Sequence, residues 1–550
     1  MKKYLLLLLL IISACGDSEK IVKRHLQSTE NLLGLEFTDS ERDSILPDLV
    51  DLRGRYKDLR KLELPNHVVF PLYFQPQLPG FQIPSGNDQY QFQEIVTSRP
   101  DNLEECAFMT VGELAYLIRT QHVTSEELTL MYLDRLKRYG PELECVISLT
   151  KELALKQARR ADKEIGSGYY RGPLHGIPYG AKDLLAVPGY RTTWGATPYQ
   201  EQILDETATV IDKLEAAGAV LIAKLTLGAL AWGDVWFGGK TRNPWDLEQG
   251  SSGSSAGPGS ATAAGLVAFS IGSETWGSIV SPSTRNGVTG LRPTFGTVSR
   301  AGAMALSWTM DKLGPMCRSV ADCALIYNII RGSDNLDRSV IDVPFQVPRL
   351  NQIENLRVAY VESAFKDTST KENDKAVLEI LKSLGLNLIP IELPEFPVKA
   401  LSFILSAEAA AAFDELTRSN RDDELVRQMR MAWPNVFRKA RYIPAVEYIQ
   451  ANRARILLNE KMNKLFESID VYIVPSFWSD NLLRTNLSGH PCVVLPNGFD
   501  KNGSPTSISF IANLYKDGNA IAVAQVYQDA TTWHKKYPPN FLANKEELEN

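Results

Sequence analysis

The sequence predicts an α/β fold: a central β-sheet covered by helices on both faces, preceded by a mostly helical N-terminal extension. Two observations carry this. Short apolar runs alternate with helical patterns along most of the 550 residues, and that alternation marks a sheet with helices packed on its faces. No convincing linker interrupts residues 109–540, so one large domain holds the alternation. At 44% hydrophobic and 23% charged residues, the composition is that of an ordinary globular chain.

Taken in order, the chain opens with "MKKYLLLLLLIISACGDSEK". Two lysines precede an apolar run from Leu5 to Ile12, far short of the about 20 residues that cross a bilayer. The run fits the h-region of a secretory signal. "ISAC" resembles the lipobox of bacterial lipoproteins. That resemblance implies a signal peptide over residues 1–15 and lipidation of Cys15. The alternative is a plain signal peptide cut nearby. A lipid on Cys15 implies an exported cell-envelope protein, on the periplasmic side of the inner membrane or on the outer membrane, that is anchored rather than spanning.

Residues 16–105 read as tether and helical extension. "GDSEKIVKRHLQSTE" is polar and reads as the tether. Thr38 and Glu41 then form a capping box. Ile45, Leu49, Leu52, Tyr56 and Leu59 recur at three and four residues, an apolar helical stripe. Pro47 is expected to kink this helix near its start. From Leu64 to Pro100 the chain is rich in Pro, Gln, Asn and aromatics, an ordered connector wrapping a larger body. Residues 106–540 form the catalytic-type domain, and 541–550 a tail.

Inside that domain, Thr110 with Glu113 and Thr124 with Glu127 are capping boxes opening two helices. "ELALKQARRADKEI" is a third helix. "VIDKLEAAGAVLIAKL" is a helix, a stop at Gly218 and a strand. "NLRVAYVE", "LNLIPIEL" and "IDVYIVPS" are strands, and "DKAVLEILKSLG" is a helix.

The formal net charge of −6 and the lack of any long basic block argue against nucleic acid as a partner. Six cysteines with no CxxC are not a disulfide scaffold. Cys317 and Cys323 are spaced as poor neighbours in helical phase and are expected as free buried thiols. None of the six histidines sits in HExxH, and "GPGSATAAG" lacks the following Lys of a P-loop. No metal and no cofactor are expected.

Chemistry concentrates between Gly250 and Ser283. A Gly/Ser loop precedes a small-residue helix, then the strand "VAFSIG", then a second Gly/Ser loop holding Trp276. Small residues let backbone segments approach closely. Consecutive N–H groups at a tight turn are what an oxyanion requires.

These motifs, with others, resemble the amidase signature family, serine hydrolases of amide bonds with a Ser-Ser-Lys triad. "SGSSAGPGSATAAG", "GSETWGSIVSPS", "GLRPTFGTVSRAG" and "DKLGPMCRSVADCALI" follow the family's order. "GPLHGIPYGAKDLL" lies upstream and "LSGHPCVVLPNGF" downstream. The resemblance runs from about Met109 to Tyr537 and implies a large mixed central sheet. It places the nucleophile on Ser278, the bridging serine on Ser254 and the base on Lys182. The backbone amides of Thr275, Trp276, Gly277 and Ser278 become the oxyanion hole, and Glu274 takes the place of a family acid. The chemistry is coherent in itself. A serine hydroxyl needs a positioned base, and lysine serves only if burial keeps it neutral. A second serine passes the proton.

Departures carry information. Trp276 stands where many relatives have glycine; it either narrows the acyl site or packs under the loop. Ile279-Val280 replaces the Ile-Arg of many relatives, including transamidating subunits, so the chain is more similar to stand-alone amidases. Lys224 matches a structural position, Asp183 beside Lys182 reads as a structural partner rather than a second base, and Asp311 is a hydrogen-bond anchor in a wall of the site. Ser251, Ser252, Ser255 and Ser273 are loop hydrogen-bonders. The function implied is hydrolysis of a small-molecule or peptide amide through an acyl-enzyme. The alternatives are a non-catalytic exported binding lipoprotein on this fold and a transamidase component of an amidotransferase.

Overall fold

The computed structural model describes residues 21–59, 61–62, 65–68, 72–367 and 372–543. Cys15 and residues 1–20 around it lie outside the described residues. The chain divides into two compact units, residues 1–68 and 69–550.

In the first unit, helix Lys23–Leu33 precedes helix Asp39–Leu59. The first helix corrects the expectation of a tether. Leu26 and Glu30 are buried, and Arg42 forks onto the Glu30 carboxylate at 2.8–3.2 Å. A forked Arg–carboxylate pair is a strong tie, and polar composition alone conceals it. The Thr38–Glu41 box closes with bonds of 2.6 and 3.3 Å. The second helix continues as one element through Pro47.

Among its described residues, the second unit is built on fifteen strands. They are β1 Val146–Leu149, β2 Pro178–Lys182, β3 Val220–Leu225, β4 Val235–Trp236, β5 Gly239–Lys240, β6 Arg242–Asn243, β7 Asp246–Gly250 and β8 Phe269–Glu274, then β9 Thr289–Arg292, β10 Lys312–Cys317, β11 Val358–Val361, β12 Ile389–Ile391, β13 Val471–Pro475, β14 Cys492–Phe499 and β15 Pro505–Ala512. Eleven form one sheet in the order β1-β3-β2-β8-β10-β9-β14-β15-β13-β11-β12. β2 runs parallel to β3 and β8, and β11 parallel to β12 and β13; the remaining pairs are antiparallel. The sheet is therefore large and mixed. Every residue of β2, β3, β8 and β10 is buried. Successive side chains point to opposite faces, so both faces of this central region are covered.

Local chemistry places the helices. Thr110–Glu113 and Thr124–Glu127 form the expected capping boxes of helices Val111–Arg119 and Ser125–Leu143. Residues 72–100 hold no helix or strand yet are fixed to the body. The Pro76 carbonyl accepts from Asn459 at 2.8 Å, and Asp88 accepts from the Phe345 amide at 2.8 Å. Cys317 ends a strand and Cys323 lies in helix Val320–Ile330. Both are free and buried, but the strand-to-helix turn brings their thiols together, where one continuous helix would have separated them.

Candidate active site

Lys182 closes β2, an interior strand third from one edge of the sheet. Tyr179 of the same strand stacks on Phe269 of β8, with ring centroids 5.2 Å apart. That packing sets β2 beside β8 and aims Lys182 at the loops flanking β8. The Lys182 side chain is fully buried. Its Nζ lies 2.8 Å from Ser254 Oγ, 3.0 Å from Ser255 Oγ, 2.8 Å from Ser273 Oγ and 3.4 Å from the Ser273 carbonyl.

This shell contains hydroxyls and a carbonyl but no carboxylate. Burial pushes the Lys182 amine well below the ordinary lysine value, and the more distant Asp311 and Glu274 carboxylates only partly oppose it. The hydrogens can be counted. Ser255 Oγ donates to the Ser273 carbonyl at 3.0 Å, so towards Lys182 it accepts. A neutral amine has two hydrogens and one lone pair. With one hydrogen on Ser255 and one towards Ser273, the lone pair can take the Ser254 hydroxyl proton.

The Ser254 loop reaches this depth because Gly253 crosses the backbone of Gly233. A β-carbon on Gly253 would stand 1.9 Å from the Gly233 carbonyl oxygen. The Gly253–Ser254 peptide is cis. Ser255 then enters helix Ala256–Ala263, and its amide donates to the Ser278 carbonyl at 3.1 Å. That bond joins the two Gly/Ser loops.

The second loop runs from Thr275 to Ser278. Gly277 adopts φ +89°, and a β-carbon there would press Leu482 Cδ2 at 2.9 Å, so the turn requires glycine. Among the described residues, none of the four backbone amides of Thr275–Ser278 has a protein acceptor. Glu274 holds the far side of the turn, accepting from the Ile279 and Val280 amides at 2.8 and 2.9 Å. Arg292 and Asn486 complete its shell at 2.9 and 2.7 Å. Burial alone would raise the Glu274 carboxyl, but Arg292, the Val280 amide and Asn486 overcome it and pull it down to about 2. Glu274 is thus a fixed anion that shapes the Thr275–Ser278 turn.

The structure brings Lys182 and Ser254 into direct contact and sets Ser278 on the adjoining turn. Among the described residues, Ser278 Oγ makes no hydrogen bond to Ser254 Oγ; catalytic bonds of this kind commonly tighten only with substrate bound. Trp276 is 43% exposed, which excludes packing under the loop and leaves its indole at the surface of the turn. Lys224 differs from Lys182 in the way its role requires. It pairs with Asp183 at 2.8 Å and donates to the Arg191 carbonyl and Thr192 Oγ1, both at 3.0 Å. Breaking such a buried pair costs about 3–5 kcal/mol, so Lys224 belongs to the scaffold.

Sequence reasoning identifies Ser255 and Ser273 only as loop hydrogen-bonders. Both contact the Lys182 amine directly, which the local pattern does not disclose. A cavity of about 320 Å³ lined by Tyr327, Phe345, Tyr515 and Asp517, among others, contains none of these residues.

Fold and site define an enzyme of the amidase type. The chain belongs to the amidase family: the family model described as Amidase matches residues 127–484. It is 30% identical over 484 residues to a glutamyl-tRNA(Gln) amidotransferase subunit from Carboxydothermus hydrogenoformans, covering 79% of this chain and 99% of that one. To the protein of the same name from Alcanivorax borkumensis it is 32% identical over 483 residues, covering 78% and 98%. Among solved structures it is similar to native peptide amidase from Stenotrophomonas maltophilia, with a TM-score of 0.68 and 28% identity, covering 78% and 98%.

Proposed function

We propose that this protein is a serine hydrolase of carboxylic amide bonds. The observation that carries the reading is the Lys182 amine, fully buried among three serine hydroxyls and held towards its neutral form. In the proposed sequence Ser278 Oγ attacks the amide carbonyl. Its proton passes to Ser254, and the Ser254 proton to Lys182. The oxyanion lies against the backbone amides of Thr275–Ser278. Collapse returns the proton from Lys182 through Ser254 to the leaving nitrogen, and an amine departs from an acyl-enzyme. Water, deprotonated by the same relay, then releases the acid.

A second reading is favoured by the relatives named for glutamyl-tRNA(Gln) amidotransferase, matched over 98–99% of their length. There the same amide cleavage would serve partner proteins. Val280, where the family resemblance implies Arg in transamidating subunits, supports the free hydrolase. The test is the purified chain alone, without nucleotide or partners, on peptide amides, aryl amides and free glutamine. We expect turnover of at least one amide, unaffected by chelators. Hydrolysis that appears only when amidotransferase partners are added would overturn the hydrolase reading in favour of the second.

We further propose that the enzyme is exported and lipid-anchored through Cys15. The Leu5–Ile12 run and the small residues before Cys15 support this. No helix among the described residues is long and apolar enough to cross a membrane. Labelled palmitate fed to expressing cells is expected to mark the wild type and not Cys15→Ser, and a chain starting at Asp17 is expected to keep full activity. A wild type without label would replace the anchor with a plain secreted enzyme.

A further inference from the structure

Asp311 lies 36 positions beyond Thr275, just before β10, and three donors converge on it. Thr275 Oγ1 donates to Oδ1 at 2.5 Å, while the Leu306 and Ser307 amides donate to Oδ2 at 2.8 and 2.9 Å. Thr275 opens the turn whose four amides lack protein acceptors among the described residues. A carboxylate is required here, because an amide side chain has one acceptor oxygen and would turn its NH₂ towards donors on the other side.

The segment that carries Asp311 is itself clamped from outside. Glu408 of helix Phe403–Ala412 accepts from Ser307 Oγ at 2.6 Å, the Thr309 amide at 3.1 Å and Thr309 Oγ1 at 2.8 Å. Tyr448 donates to Glu408 at 2.8 Å, and Arg455 holds the Thr309 carbonyl at 2.9 Å. Asp311 is thus rigidly mounted, and the Thr275 it holds lies two positions beyond Ser273, whose hydroxyl and carbonyl contact Lys182 Nζ; burial raises the Asp311 carboxyl, and the Thr275 hydroxyl and the two amides oppose that. Other charges near Asp311 and Lys182 are compensated or fixed: Lys224 on β3 by Asp183, Arg292 on β9 by Glu274, and Arg300, which faces Asp311, by Asp337 at 2.8 Å. Lys312 on β10 is buried and pushed towards its neutral form.

We propose that Asp311 is a positioning residue for the reaction: it fixes the oxyanion turn through the Thr275 hydroxyl and supplies the carboxylate field in which Lys182 works. The proposal rests on the Ser-Ser-Lys reading and deepens it. Two variants separate its halves. Thr275→Val keeps shape and backbone amide but removes the tie, so the turn loses alignment while the charge at Asp311 stays. Asp311→Asn removes the charge and leaves one acceptor oxygen for three donors, so it weakens the mounting of the turn as well. Burial lowers the Lys182 amine and Asp311 opposes that, so losing the charge makes Lys182 less basic and moves the acid limb of activity to lower pH.

The experiment follows the rate of labelling by a fluorophosphonate across pH in the full chain, with the labelled serine mapped and thermal melts run beside it. We expect Thr275→Val to slow labelling by about 10-fold with the acid limb unmoved, and Asp311→Asn by about 100-fold with the limb shifted to lower pH, on the scale of a misplaced or lost oxyanion donor. If wild type is labelled somewhere other than Ser278, the Ser-Ser-Lys reading fails and this proposal with it. If wild type is labelled at Ser278 while both variants label at its rate with its acid limb, the proposal alone fails. Should Asp311→Asn not fold, Thr275→Val decides: labelling at the wild-type rate overturns the tie.

Discussion

Ser278→Ala is expected to reduce amide turnover by on the order of 10⁴- to 10⁶-fold, the scale seen when a serine hydrolase loses its nucleophile. Folding is expected to survive. The Ser278 hydroxyl stands at a turn whose geometry is held by other groups: the positive φ of Gly277, the Glu274 carboxylate on the Ile279 and Val280 amides, and the Ser255 amide on the Ser278 carbonyl. None of these involves Oγ. Ser278 is buried, but alanine removes one oxygen atom and none of these ties, so the melting temperature should change by no more than about a few degrees. Steady-state kinetics on any amide turned over by the wild type, with a melt on the same sample, make the measurement. Turnover within tenfold of wild type would remove Ser278 from the nucleophile role. Loss of both turnover and folding would show the hydroxyl to be structural.

The turn is legible in the sequence because its parts are local, whereas the roles of Lys182, Ser254 and Ser278 are read from the family resemblance. Gly277, Ser278 and Glu274 fall within five residues, and the turn they make follows from that spacing. Capping boxes are local in the same way, and Thr110 and Thr124 behave as their sequences dictate. Other parts depend on which distant segments meet. Ser255 and Ser273 contact Lys182 only because β2 lies parallel to β8 and the Gly253 loop crosses Gly233. Asn486 reaches Glu274 from 212 positions away. The helix Lys23–Leu33 is hidden for a related reason: its stabilising partner, Arg42, lies on the next helix, and composition alone reads the segment as polar chain. Periodicity finds elements; it does not find the tertiary pairs that decide what a polar residue does.

Lys182→Ala is expected to cost about 10⁴-fold on amides and only about 10²-fold on esters of matched structure, since general acid–base terms span about that range. The difference arises at the leaving group. An alkoxide departs with little help, whereas an amine must be protonated as the C–N bond breaks, and in the proposed relay that proton comes from Lys182 through Ser254. The pH profile gives a second signature. The base works neutral, so the wild-type rate rises with pH through the value of Lys182 in the folded protein, which burial holds well below the ordinary 10.5; that limb should vanish in the variant. Stability supplies a third that does not involve catalysis. Between its folded and unfolded values Lys182 binds fewer protons folded than unfolded, so its contribution to stability worsens as pH falls, by about 1.4 kcal/mol per pH unit. Alanine does not titrate. Whatever the fixed cost of the space left behind, the stability of Lys182→Ala relative to wild type should therefore improve as pH is lowered from 10.5, and denaturant melts at several pH values can read this. Equal losses on amides and esters would show that Lys182 is not the proton source, and a stability difference that is flat with pH would show that the lysine is charged in the folded protein and cannot be the base.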